Sequence, residues 1–172
     1  MRRKSNKKGY YFIIDAFIGS TIIFLSLLII LNGGIKPSKI QYIYEMAEEF
    51  STFILVTKIQ DLNYEYVNSL ITSHVINDTT LTIMEQVDLF YYNNDTSHAN
   101  LMIQNLTEPL IPQKYSFSYN MIDGAKRTNI YNRTNINMTD AKLVVASKKI
   151  TFLQISSSTL FGPVMTEIKI WI

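Results

Sequence analysis

Few residues of this chain stand at spacings that do chemistry. His74 and His98 are separated by 24 positions, with no H-E-x-x-H or comparable ligand spacing, so neither is read as a metal ligand. Cysteine is absent, which removes disulfides, thiolate ligands and cysteine nucleophiles. Asp78, Asp88 and Asp95 do not form a calcium loop, and no G-x-S-x-G, Walker A or Rossmann fingerprint occurs. Glu45, Glu48 and Glu49 fit a solvated helix face better than a general acid–base pair. The expectation is a protein that is not an enzyme, with no catalytic residue, no metal and no cofactor.

Two kinds of residue remain. Asp15 is the single charge within residues 10–31, YYFIIDAFIGSTIIFLSLLIIL. An acid inside an apolar span is a functional hypothesis by default. Its alternative is a carboxylate only about six residues in, close enough to the headgroups for water to reach it. Five N-x-T sequons form the second set: Asn77, Asn94, Asn105, Asn132 and Asn137. They are candidate N-glycosylation sites, a modest excess for a chain rich in Asn and Thr. Asn132 and Asn137 lie in the most polar, loop-like stretch and are the preferred pair.

The elements that must position these residues follow from pattern. The chain has 172 residues, 47% hydrophobic and only 17% charged, enough for one modest domain plus an appendage. Residues 1–9, MRRKSNKKG, hold five basic groups and no acid, a basic cytoplasmic leader. The next 22 residues would span roughly 33 Å as a helix, against a hydrocarbon core of about 30 Å. They are too long for an ordinary cleaved signal and no A-x-A follows, so the span is expected to stay. The positive-inside rule places residues 1–9 in the cytoplasm and the chain after Asn32 outside, as a single-pass protein of the cell membrane. The leader also hides a balance: without its five basic residues the net charge falls from +2 to −3. No other basic cluster of that size exists, so nucleic acid is not expected as a partner, whereas membrane lipid is.

Residues 32–37 read as a Gly/Pro break, and 38–172 as an extracytoplasmic α+β domain. Ser38 reads as the N-cap of an amphipathic helix over 38–62, with Ile40, Ile43, Ala47, Phe50 and Ile54 on its apolar face. Further helices are expected over 80–92 and 97–106, the latter ending before Pro109. The period then changes to two. Residues 115–121 and 125–131 form a hairpin about Asp123-Gly124, 142–147 and 149–154 are strand-like with a bend between them, and 164–172 alternates cleanly. The expected fold is α+β: a long N-terminal transmembrane helix, then an amphipathic helix and short helices packed on an antiparallel sheet of about four strands.

The order of a basic leader, Lys8-Gly9, an aromatic–aliphatic run, an acid and about 16 further apolar residues resembles the class III signal of type IV pilins, above all the archaeal pilin-like proteins. The resemblance covers about 25 residues; the helix-then-sheet layout behind it is similar to the pilin architecture only in pattern. It implies cleavage by a prepilin-type peptidase after Gly9, leaving Tyr10 as the amino terminus, with Lys8, Gly9 and Tyr10 as the processing site. It implies that Asp15, one residue later than the family's usual acid, sets helix register by pairing with a neighbouring chain. Ala16-xxx-Ser20 offers a small-residue surface for such contact. The implied function is a structural subunit, a pilin-like protein or minor pseudopilin whose partners are copies of itself or related subunits, in a surface filament. The alternative is a non-polymerising single-pass membrane protein with an outer ligand- or partner-binding domain.

Overall fold

The computed structural model describes residues 7–32 and 38–172, and the chain divides into two compact units, Met1–Pro37 and Ser38–Ile172. Residues 1–6 of the leader and 33–37 of the expected break lie outside the described residues. In the first unit a single helix, α1 (Lys7–Asn32), contains the whole expected span and begins three residues earlier, taking in Lys8, Gly9 and Tyr10.

In the second unit α2 (Lys39–Val56) starts where the sequence places it: the Ser38 Oγ accepts from the Gln41 N–H at 3.1 Å. It stops six residues short of the expected end. From Thr57 the backbone is extended, and Lys58 bridges to Thr82, so hydrogen bonds with that distant strand-like segment replace the next helical turn. A 3-10 turn, Ile59–Asp61, and a short helix, α3 (Glu65–Thr72), follow. α3 is too short to show periodicity, yet it seats Val67 and Leu70 in the core. Helix α4 (Ile83–Tyr92) begins in a capping box made by Thr82 and Glu85. α5 (Thr96–Leu110) runs through Pro109, contrary to the expectation that it ends before it. The proline sits in the last turn, where one lost i→i−4 bond costs least, and the Ile111 N–H still closes on the Thr107 carbonyl.

The sheet has four antiparallel strands in the order β2-β1-β4-β3: β1 (Ser116–Asp123), β2 (Lys126–Arg133), β3 (Val144–Ser156) and β4 (Thr159–Trp171). The first hairpin turns on Gly124-Ala125, one residue later than expected. Asp123 pairs with Lys126, and Gly124 supplies the positive φ of +57°. The strand-like segments 142–147 and 149–154 run on without the expected bend as one strand, β3, pairing along most of β4. At Gly162 of β4, φ is +122° and a Cβ would lie 2.9 Å from the Thr151 carbonyl oxygen, so only glycine fits.

Helices cover one face of the sheet, with α2 against β3 and β4, α4 against β3, and α5 against β2. On that face Phe117, Tyr119 and Met121 of β1 and Ile168 and Ile170 of β4 meet Ile43, Ala47, Phe50 and Ile54 of α2 in a single core. Each fully buried large side chain contributes about 1.5–3 kcal/mol. Ile40, expected on the apolar stripe, is 62% exposed, and its place is taken by Met46 and Ser51. The opposite face is not the plain solvated side that the alternation suggests. Glu167 and Trp171 are buried there as well, beneath their neighbours and the segment 134–138.

Candidate functional site

At 1.5 Å per residue α1 is about 39 Å long, and its stretch Phe12–Ile29 is long and apolar enough to cross a membrane. The apolar residues surround the axis rather than forming a stripe, and every residue from Phe12 to Ile29 is exposed except Gly19, which is half-buried. The hydroxyls along this stretch are already satisfied within the helix. Ser20 and Thr21 donate to the Phe17 carbonyl at 2.9 and 2.8 Å, and Ser26 donates to Ile22 at 2.8 Å. Such back-bonding satisfies a hydroxyl without water, and Ser51 and Thr107 in the outer unit do the same. Asp15 lies eight residues into α1, about 12 Å along its axis, exposed and with no ion-pair partner among the described residues. Gly19 follows one turn later on the same side, with open space where a Cβ would stand. The Gly9–Tyr10 bond falls in the opening turns of the same helix.

The sequons separate by environment. Asn77 lies in an exposed loop, Asn94 in an exposed turn with φ +59°, and Asn137 immediately before the 3-10 turn Met138–Asp140. Asn132, expected in a loop, belongs to β2 and is exposed there. Asn105 sits inside α5, partly buried, its Nδ2 donating to the Leu101 carbonyl at 2.8 Å. Four of the five therefore present accessible amides.

The histidines take structural positions. His74 closes α3 with φ +57°, and His98 holds Asp95, the N-cap of α5, at 2.5 Å from its ring Nδ1. Among the described residues no group of three His, Cys, Asp or Glu side chains could hold a metal ion. The acid cluster on α2 is not wholly solvated: Ser147, at 2.8 Å, and Lys149 both donate to the Glu48 carboxylate, tying α2 to β3 and holding that carboxyl below its ordinary range.

Two features carry no recognised motif. Asp88 on α4 is 1% exposed, accepts a hydrogen bond from the Thr151 hydroxyl, and has one carboxylate oxygen without a partner. Burial pushes its pKa up to about 7, with the Thr151 bond opposing and the Glu85 charge assisting. Nearby Tyr119 is fully buried and its phenol is raised by burial and by Asp88, so neither group meets solvent without opening of the α4–β3 contact. The second is the ion cluster about Glu167, which touches Arg127, Lys148 and Lys169. One signal of it was readable: Glu167 and Lys169 stand two apart on a strand and so share a face. No family model, curated protein or solved structure matches this chain.

Proposed function

We propose that the chain is a structural subunit of the type IV pilin-like class, anchored in a membrane or polymerised through α1. The observation that carries this reading is α1 itself: a 26-residue helix whose stretch Phe12–Ile29 is apolar on all sides, with its hydroxyls turned inward, one acid, and the basic leader residues before it. A surface of this kind is costly in water and is stabilised in lipid or against helices of other copies. On this reading residues 1–9 are cytoplasmic and Ser38–Ile172 is extracytoplasmic. A prepilin-type peptidase cuts after Gly9, and Asp15 pairs with the amino group at Tyr10 of a neighbouring copy. An unpaired carboxylate in the packed helices would be costly, so the pairing would fix register. The accessible sequons Asn77, Asn94, Asn132 and Asn137 accord with an exported, glycosylated surface.

A second reading, a non-polymerising single-pass protein with an outer binding domain, is favoured by one observation. The unit Ser38–Ile172 holds a complete core of its own. Mass spectrometry of the protein from its native membrane separates these readings. A terminus at Tyr10 is expected; an intact Met1 or Arg2 overturns processing. Asp15→Ala is expected to abolish recovery of high-molecular-weight assemblies, and an unchanged yield would refute the register role.

A further inference from the structure

The face of the sheet away from the core carries a cleft of about 290 Å³, whose lining includes the sequons Asn132 and Asn137 but is otherwise unused by the reading above. Strand register builds it. Ser118 of β1 stands opposite Asn132 of β2 and Lys169 of β4; Asn120 stands opposite Asn129 and Glu167, and Lys148 of β3 extends that row. Two adjacent rows of polar side chains thus cross the sheet on one side.

The floor is held in fixed orientation. Asn129 Nδ2 donates to Asn120 Oδ1 at 2.9 Å, and Asn120 Nδ2 donates to Ser118 Oγ at 3.2 Å. Thr134 donates to Asn132 Oδ1 at 3.2 Å. Asn129 Oδ1 and Asn132 Nδ2 are left without a partner among the described residues, one acceptor and one donor available at the cleft. Met138 supplies an apolar wall, and Trp171, buried beside it, is fixed by its Nε1 donating to the Ile136 carbonyl at 2.6 Å. The charge is unbalanced. Glu167, 4% exposed, is the one carboxylate touching three cations, Arg127, Lys169 at 3.2 Å and Lys148 at 3.4 Å, which leaves a local surplus of two positive charges. Burial and the neighbouring Arg127 also lower the Lys169 pKa, a repulsion that an incoming anion would relieve.

Hydroxyl-matching amides, an apolar wall and surplus cations together define a ligand. A neutral sugar would leave the cations unanswered; a bare inorganic anion would leave the amide rows and the wall unused. We propose that this cleft binds an anionic sugar residue, with its carboxylate at Arg127 and Lys169 and its hydroxyls on the Asn129 and Asn132 amides. The proposal does not depend on filament formation, and it requires Asn132 to carry no glycan, leaving Asn77, Asn94 and Asn137 as the sequons open to modification.

The test is calorimetric titration of the full chain in detergent micelles with trigalacturonic acid. The protein is made in a non-glycosylating host, because a glycan on Asn132 would fill the cleft. Saturable binding is expected, weakened about ten-fold or more by methyl-esterification of the probe and by Arg127→Gln. Arg127 is half exposed, and its loss leaves Glu167 with two lysines, so the melting temperature should hold. Should it fall, Asn129→Ala, at an exposed position, decides instead by lowering affinity several-fold. Absence of saturable binding, equal affinity for the esterified probe, acetate binding as tightly as the oligomer, or no effect of the variants at the cleft would each overturn the proposal.

Discussion

Phe24 of α1 is 60% exposed, whereas Phe50 of α2 is 3% exposed and meets the Phe117 ring edge-on at a centroid distance of 5.3 Å. The two helices draw on the same residue types, Ile, Leu and Phe, in different patterns. In α2 they recur at three and four and are interleaved with Glu45, Glu48 and Glu49, so one stripe is buried in the protein's own core. In α1 they are continuous, and only an apolar surrounding could cover all sides at once. Hydrophobicity alone therefore does not say where a helix belongs. The period does, because it decides whether the chain can satisfy the helix by itself.

That contrast can be broken most directly by truncating matched phenylalanines. Phe50→Ala should destabilise the unit Ser38–Ile172 by about 3–5 kcal/mol, from lost transfer energy, a cavity and the edge-on contact with Phe117. Phe24→Ala should leave the unfolding of that unit unchanged within about 0.5 kcal/mol. Urea unfolding followed by Trp171 fluorescence reads both. A comparable loss in the two variants would mean that α1 contributes to the outer core, and the contrast would fail.

A smaller effect separates α1 from the outer unit by what each does with an acid. Asp15 in α1 is exposed, while Asp88 in α4 is enclosed and its pKa is pushed up from 3.8 to about 7. Between those values the folded state holds a proton that the unfolded chain releases. The stability linked to Asp88 is therefore fully present below about pH 4, declines as pH rises, and levels off above about 7, a change of roughly 2–4 kcal/mol. Glu48 works in the opposite sense: Lys149 and Ser147 hold its carboxyl low, and its contribution is lost as pH falls through the folded value. The difference between wild type and Asp88→Asn isolates the first term. The variant's melting temperature should fall less between pH 4 and 7 than that of the wild type, and parallel profiles would show that Asp88 does not titrate in this range.

How much of this was legible in the chain divides along physical lines. Local signals read well: the apolar span, the Ser38 cap, the helix ending at Tyr92 and the four-stranded sheet follow from period, capping chemistry and turn residues. What depended on distant partners did not. Helix α2 stops at Val56 because Lys58 finds Thr82, which lies 24 residues on. Asn132 and Asn120 looked like polar loop and strand residues until register put Asn132 in one row with Lys169 and Asn120 beside Glu167. Asp88 drew notice only as an acid without calcium-loop spacing, and the packing of α4 on β3 is what encloses it. The candidate site at α1 was thus readable residue by residue, whereas the outer-face cleft is a product of strand pairing alone.

The smallest expected effect concerns how α4 is started, and it bears on the same enclosed acid. Thr82 Oγ1 accepts from the Glu85 N–H at 3.2 Å while the Glu85 carboxylate accepts from the Thr82 N–H at 2.7 Å, so two otherwise orphaned donors are satisfied reciprocally. Thr82→Ala removes one of these bonds and should cost about 1 kcal/mol, read by urea unfolding. Glu85→Gln keeps an acceptor for the Thr82 N–H but deletes the charge that helps raise the Asp88 pKa. It should therefore be nearly neutral in stability at pH 4, yet move the pH-dependent decline to lower pH. The two substitutions dissect one capping box into a geometric part and an electrostatic part. If Glu85→Gln left the position of the decline unchanged, the raised pKa of Asp88 would be due to burial alone.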